Sequence, residues 1–317
     1  MIKKDGSNLV FIVGTARSGT TWLQRLVSSH PGCHTGEESH LFYFHIVPQL
    51  KAFWKGGNDQ KPVGLYTYMR ESEFREFLKA QIHSLLAVIG KEVRPGEYFI
   101  EKTPLHVLCL EEIRRFLPKA KIIHLVRDPR DVVASFLAAS RGWGKFWAPR
   151  NSFRAASLWV LCAGAAREYK RKFRDPLFYE LRYEDLLADT PSELRKIVDF
   201  IGLRWNEKDI LKTVNRNSPD ELRAGGGTLI PLKGQARKDF GAFSGNPRGF
   251  IRRAAAGGWK KDLHLLDKIT VFAVAGSLLR EYGYNWEHPL GSPVSKAVNI
   301  LLPPLKRLRS LFPKAGR

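Results

Sequence analysis

Two short clusters carry residue types able to grip and transfer a charged group. The first is Gly14-Thr15-Ala16-Arg17-Ser18-Gly19-Thr20-Thr21, set between an apolar run at residues 9–13 and an amphipathic stretch at 20–29. A glycine turn between a strand and a helix aims backbone N–H groups at one point, where the helix dipole favours negative charge. The spacing is that of a phosphate-cradling loop. The nucleotide triphosphatase pattern G-x-x-x-x-G-K-[ST], however, needs lysine where this chain has Thr20. The cation of the turn is Arg17, at its mouth, so the loop suits a phosphate ester and offers no evident magnesium site.

The second cluster is Arg127-Asp128-Pro129-Arg130-Asp131-Val132-Val133-Ala134-Ser135, where a β-branched run at 122–126 hands over to a helical pattern at 130–139. Arg127 at the strand end and Ser135 two turns into the helix can reach a second anion beside the first loop. Asp128 and Asp131 suit the positive end of that helix. Taken alone, the cluster reads as a capped helix with surface ion pairs. Taken with the first loop, it implies a nucleotide phosphorylated at two places.

The elements that must hold these clusters follow from periodicity. Strands are expected at 9–13, 98–100, 122–126 and 177–182, and helices at 20–29, 72–89, 130–139, 152–173, 191–201 and 259–282. Fully apolar strands alternating with helices predict an α/β fold, a P-loop-like central parallel sheet with helices on both faces. A single domain over 1–287 is expected, with a glycine-rich, mobile lid-like loop at 218–250. Residues 288–317 form a basic amphipathic tail without an acid, a pattern suited to peripheral contact with an anionic membrane or to packing on its own domain.

Composition sets the remaining bounds. A chain of 317 residues that is 44% apolar has material for a substantial core, which excludes disorder as its main state. Lysine and arginine number 52 against 31 acids, a net charge of +21, so the surface concentrates anions. Cys33, Cys109 and Cys162 form no C-x-x-C pair and read as buried thiols. The histidines show no metal-ligand spacing, and no metal is expected. The start, Met-Ile-Lys-Lys-Asp, reaches a strand-like run by Leu9, from which we expect no leader and a cytoplasmic protein, peripheral at the inner face of the membrane if the tail binds lipid.

At these residues the sequence resembles the sulfotransferases that use 3′-phosphoadenosine 5′-phosphosulfate (PAPS), over about residues 9–284. Arg17-Ser18-Gly19-Thr20-Thr21-Trp22 looks like the family's 5′-phosphosulfate loop, with Arg17 where cytosolic members carry lysine and Trp22 at the position that stacks on adenine. Arg127 and Ser135 keep the spacing of the 3′-phosphate ligands, and Tyr183 matches a further nucleotide contact. Arg252-Arg253-Ala254-Ala255-Ala256-Gly257-Gly258-Trp259-Lys260 is similar to the family's R-K-G-x-x-G-D-W-K segment, which implicates Arg252, Arg253 and Gly257; Arg253, Ala254 and Gly258 depart from it.

The resemblance also implies the base. The histidine that follows K-T in cytosolic members is missing, because Pro104 follows Lys102-Thr103 and His106 is displaced by two positions. Residues 30–38, ending in Glu37-Glu38, look instead like the corresponding stretch of tyrosylprotein sulfotransferases, which assigns Glu38 as general base with Glu37 or His40 as substitutes. Alternatively the two glutamates simply begin a helix. Glu101-Lys102-Thr103-Pro104 resembles the Golgi-type enzymes, whose lysine contacts the transferring group. Arg17 and Lys102 would then stabilise charge growing on the leaving oxygen while Glu38 takes the acceptor proton.

The expected acceptor is a hydroxyl of a saccharide, a glycolipid or a peptide tyrosine, and the expected product is adenosine 3′,5′-bisphosphate. Trp143 and Trp147, with Lys145 and Arg150, form either a platform for it or a hydrophobic loop anchor. Two other classes compete. Magnesium-dependent ATP turnover would mark a P-loop kinase, against which Thr20 argues. Salt-dependent affinity for DNA without response to adenosine 3′,5′-bisphosphate would mark a non-enzymatic basic protein, whereas the sulfotransferase reading expects no nucleic-acid partner.

Overall fold

The computed structural model describes residues 1–55, 63–240, 243–244, 250 and 255–285. Five parallel strands form its centre: β1 (Leu9–Gly14), β2 (Cys33–Thr35), β3 (Tyr98–Lys102), β4 (Lys121–Val126) and β5 (Phe178–Arg182), in the order β2-β3-β1-β4-β5. Every residue of β1 is buried, as a central strand covered on both faces requires. Its alternate side chains feed two cores. Leu9, Phe11 and Val13 pack with α2 (Val47–Phe53), α3 (Glu71–Ile89), α4 (Leu110–Phe116) and α6 (Ser152–Lys172), whereas Val10 and Ile12 share a core with α1 (Thr20–Ser28), α8 (Thr190–Ile201) and α9 (Glu207–Arg216). A third cluster joins α6 to α5 (Pro129–Ser140) and α13 (Leu265–Glu281), the latter meeting the residue 259–282 expectation together with the short α12 (Trp259–Asp262).

The helix and strand positions follow the periodicity closely, with differences where elements are short. The three-residue β2 lies in a polar, turn-like stretch and is defined by pairing with β3 rather than by any apolar run. Within 218–250, where the glycine-rich composition predicts a mobile lid-like loop, the chain builds the short elements α10 (Pro219–Arg223), α11 (Gly234–Phe240) and a two-stranded antiparallel pair of β6 (Ile230–Pro231) with β7 (Phe243–Ser244). Ser218 caps α10 by accepting from the Glu221 amide, a local signal that average composition hides. The basic tail at 288–317 lies outside the described residues, among which no helix is long and apolar enough to cross a membrane.

The register places the chemistry. Ile12 pairs with Lys102, and Gly14 with Leu125, so the first loop, the end of β3 and Arg127 all emerge at the carboxyl edge of neighbouring parallel strands. That edge is where open parallel sheets bind ligands.

Candidate active site

A cleft over this edge is lined by Arg17, Gly19, Thr20, Thr21, Trp22, Arg127, Ser135 and Tyr183, which gathers eight of the expected cosubstrate residues. Gly19 sits in the left-handed region at φ 96°, and a Cβ there would lie 2.6 Å from Tyr183 Cδ2. Only glycine lets the turn pass over that ring. Tyr183, buried at the start of α7 (Tyr183–Ala188), meets the Trp22 ring edge-on at 5.7 Å and carries the Arg127 guanidinium 4.3 Å above it. Burial raises the Tyr183 hydroxyl, against the pull of Arg127. Trp22 Nε1 donates to the Asn217 carbonyl at 2.9 Å, which ties the indole in place.

Arg17 adopts φ 73°, and among the described residues only Arg17 and His40 are non-glycine residues with positive φ. Its Nε donates to Ser135 Oγ at 3.0 Å and its Nη2 to the Phe250 carbonyl at 2.6 Å. The guanidinium lies 5.1 Å from the Trp143 ring centre and 4.9 Å from that of Phe250. Ser135, expected beside a 3′-phosphate, therefore also anchors the cation of the first loop. Trp143 packs against the α5–α6 core and holds Arg17, while Trp147, half exposed, lies 5.3 Å from Trp143.

Arg127 donates to the carbonyls of Arg17 at 3.2 Å and Ala255 at 3.0 Å. Its Nε and the Ser18 hydroxyl are buried and have no hydrogen-bond partner among the described residues. Buried donors left unmade are costly, and both lie in the loop pair predicted to hold a doubly phosphorylated nucleotide. These residues fit such a ligand.

Gly257, at φ 75°, does not line the cleft, although its neighbours Ala255 and Gly258 do. Its N–H donates to Asp131 Oδ2 at 2.8 Å, and Trp259 N–H to Oδ1 at 2.9 Å. Asp131, read in the sequence as a dipole partner, is thus a brace that joins α5 to this turn. Burial raises its carboxyl, opposed by Arg127 and the two amides. Arg252 and Arg253 lie outside the described residues. Arg25, which the sequence reading omits, also lines the cleft; its only signal is a cation on the buried side of α1.

Glu38 and Lys102 stand apart from the cleft lining and pair with each other, Lys102 Nζ to Glu38 Oε1 at 2.5 Å. Lys102 is buried and Glu38 partly exposed. His40 Nε2 lies 3.4 Å from the other Glu38 oxygen, and the His40 ring stacks on Phe44 at 4.6 Å. Burial alone would raise the Glu38 carboxyl, but the His40 hydrogen bond and the Lys102 charge outweigh it and hold the group below the ordinary carboxylate range. Glu37 is exposed, and its charge acts on Arg25 instead. The two glutamates precede a π-helix, Leu41–Ile46, rather than opening an α-helix. His106 is fully buried and hydrogen-bonded to Glu101 at 2.9 Å, a structural position.

Comparison with known proteins identifies the family and the fold. The model described as Sulfotransferase family matches residues 9–207. Protein-tyrosine sulfotransferase 1 of Danio rerio is 25% identical over 215 residues, 63% of this chain and 54% of that protein. Its Homo sapiens namesake is 26% identical over 206 residues, 62% of this chain and 52% of that protein. The chain spans about half the length of these curated relatives. Among solved structures, mouse sulfotransferase SULT7A1 complexed with PAP has a TM-score of 0.54 at 15% identity, over 93% of this chain and 89% of that one. The sulfotransferase domain of the Synechococcus PCC 7002 olefin synthase has a TM-score of 0.55 at 22% identity, over 88% and 95%. These two structures share the fold. With the family match running from β1 past α8, across the Arg17 and Arg127 clusters and the Glu38–Lys102 pair, the chain belongs to the sulfotransferase family.

Proposed function

We propose that the protein moves a sulfuryl group from PAPS to a hydroxyl acceptor, with peptide tyrosine the first to test because the curated relatives are named for it. The observation that carries this is that Arg127, in a cleft walled by the loop cation Arg17, and Ser18 of the adjoining loop each keep a buried polar atom, Nε and Oγ, with no hydrogen-bond partner among the described residues. Thr20 stands where a triphosphatase needs lysine, which argues against phosphoryl transfer from ATP.

The donor supplies an activated sulfuryl group: an acceptor oxygen–sulfur bond forms, the bond from sulfur to the 5′-phosphate oxygen breaks, and adenosine 3′,5′-bisphosphate remains. Arg17 and the N-terminal amides of α1 stabilise charge on that oxygen. Glu38 receives the acceptor proton, kept ionised by Lys102 and His40. Lys102, paired with Glu38 and outside the cleft lining, is the second cation assigned to that charge.

Incubation with PAPS labelled in the sulfuryl group and with tyrosine peptides, oligosaccharides or glycolipids tests the proposal. Label in one acceptor class supports it and names the class. No label in any class, with ATP turnover instead, overturns it. Vesicle binding with and without residues 288–317 tests the peripheral membrane contact proposed for the tail.

A further inference from the structure

We infer that Glu101, buried at the end of β3, is the positioning residue that sets the geometry of the Glu38–His40 segment. The inference rests on the proposed sulfuryl transfer, in which Glu38 is the base.

Four successive backbone N–H groups follow Glu38, and each ends on one connected network. Ser39 N–H donates to Glu101 Oε1 at 3.2 Å. His40 N–H donates to Thr103 Oγ1 at 3.3 Å, and Thr103 Oγ1 donates onward to Glu101 Oε1 at 2.6 Å. Leu41 N–H donates to Ser39 Oγ at 3.2 Å, whose proton goes to Glu101 Oε1 at 2.7 Å. Phe42 N–H donates to His106 Nε2 at 3.1 Å, and His106 Nδ1 lies 2.9 Å from Glu101 Oε2. These are the amides at the start of the π-helix, which have no acceptor within the helix. The same network spans His40, whose left-handed backbone at φ 49° needs outside support.

The proton directions are fixed from the ends. A backbone N–H can only donate, so His106 Nε2 is a lone pair, Nδ1 carries the proton, and Glu101 accepts every bond it makes. Burial alone would raise the Glu101 carboxyl, and the His106, Thr103 and Ser39 hydrogen bonds hold it down instead. A glutamine cannot replace it. With the amide nitrogen toward His106, Nδ1 must become the acceptor, and the proton moved to Nε2 then opposes Phe42 N–H. With the nitrogen on the other side, Ser39 N–H loses its acceptor. Glu101 is not part of the cleft lining, and among the described residues its hydrogen bonds go to Ser39, Thr103 and His106 and not to Glu38, so its effect reaches the base through the backbone.

The test compares wild type, Glu101→Gln and Thr103→Val by amide exchange at residues 39–42, by thermal stabilisation with adenosine 3′,5′-bisphosphate, and by kcat, KM and pH profile. Exchange at 39–42 is expected to rise about tenfold. With the base displaced, kcat should fall ~10–100-fold while the nucleotide shift and the KM for PAPS stay near wild type. The acid limb of kcat/KM should move up as Glu38 loses its set distance from Lys102. Thr103→Val, which removes one hydroxyl bridge, should give a smaller change of the same kind. Unchanged exchange at 39–42, or faster exchange with unchanged kcat and pH profile, overturns the inference. Absence of transfer by wild type, with exchange still rising in the variants, refutes the sulfuryl-transfer proposal and with it a catalytic purpose for the clamp.

Discussion

Lys102 Nζ lies 2.5 Å from Glu38 Oε1, so the cation at the end of β3 and the carboxylate after β2 form one ion pair although 64 positions separate them. In the proposed reaction the His40 hydrogen bond and this Lys102 charge together set the working pH of Glu38 as base. A carboxyl held low by a cation stays ionised, and so competent to accept a proton, further into acid than an ordinary glutamate. Activity measured as kcat/KM should therefore persist below the usual carboxylate range and fall only as pH drops through the depressed value. In Lys102→Ala the charge is lost and the acid limb should move upward; an unmoved limb would show that the titrating group is not Glu38. Glu38→Gln should retain nucleotide-induced stabilisation and lower kcat by ~10²–10⁴.

Arg127 faces the cleft with a buried Nε that no described residue accepts. Ligands that bind only the folded state raise its stability. Adenosine 3′,5′-bisphosphate should raise the melting temperature of wild type, and Arg127→Ala should abolish the rise, because a phosphate loses its guanidinium partner. A full shift in the variant would remove Arg127 from the site.

Gly19 leaves no room for a side chain, since its Cβ would press into the Tyr183 ring from a left-handed backbone. Gly19→Ala should cost about 1–3 kcal/mol from the backbone alone. It should also displace Tyr183 and weaken nucleotide binding. Chemical denaturation with and without the nucleotide separates these effects, and a variant as stable and as responsive as wild type would contradict the packing described.

Asp131 holds two amides of the 257–259 turn from the first turn of α5. Asp131→Asn keeps the shape but can accept at one oxygen only, so one amide should be left unpaired and the turn loosened. The expected outcome is a weaker nucleotide-induced shift with the Glu38-dependent acid limb in place. Titration calorimetry with adenosine 3′,5′-bisphosphate measures it, and unchanged affinity would show that the turn does not serve the site.

Much of the fold was legible because long apolar strands and amphipathic helices announce themselves by local period. Residues 9–13 and 122–126 lie wholly within β1 and β4. The misread parts are those whose definition is non-local. Cys33–Thr35 is a strand only because β3 runs beside it. Glu101 enters the sequence only as a neighbour of Lys102, and its role emerges when folding brings Ser39, Thr103 and His106 around it. For Trp143 the sequence leaves an acceptor platform and a hydrophobic loop anchor open, and only the fold shows it packed on the core beside Arg17.

The chain's own order of residues determined that a glycine turn with one arginine follows the first strand, that a second arginine follows another, and that neither carries a triphosphatase lysine. Those features are local and survive without knowing any distance. Tertiary structure alone decided that both arginines share one cleft, that Lys102 neutralises Glu38, and that Asp131 braces a turn 126 positions away. The reason is that charge pairing and hydrogen bonding depend on separations of a few ångströms, which parallel strand order and register set, and which linear spacing does not encode.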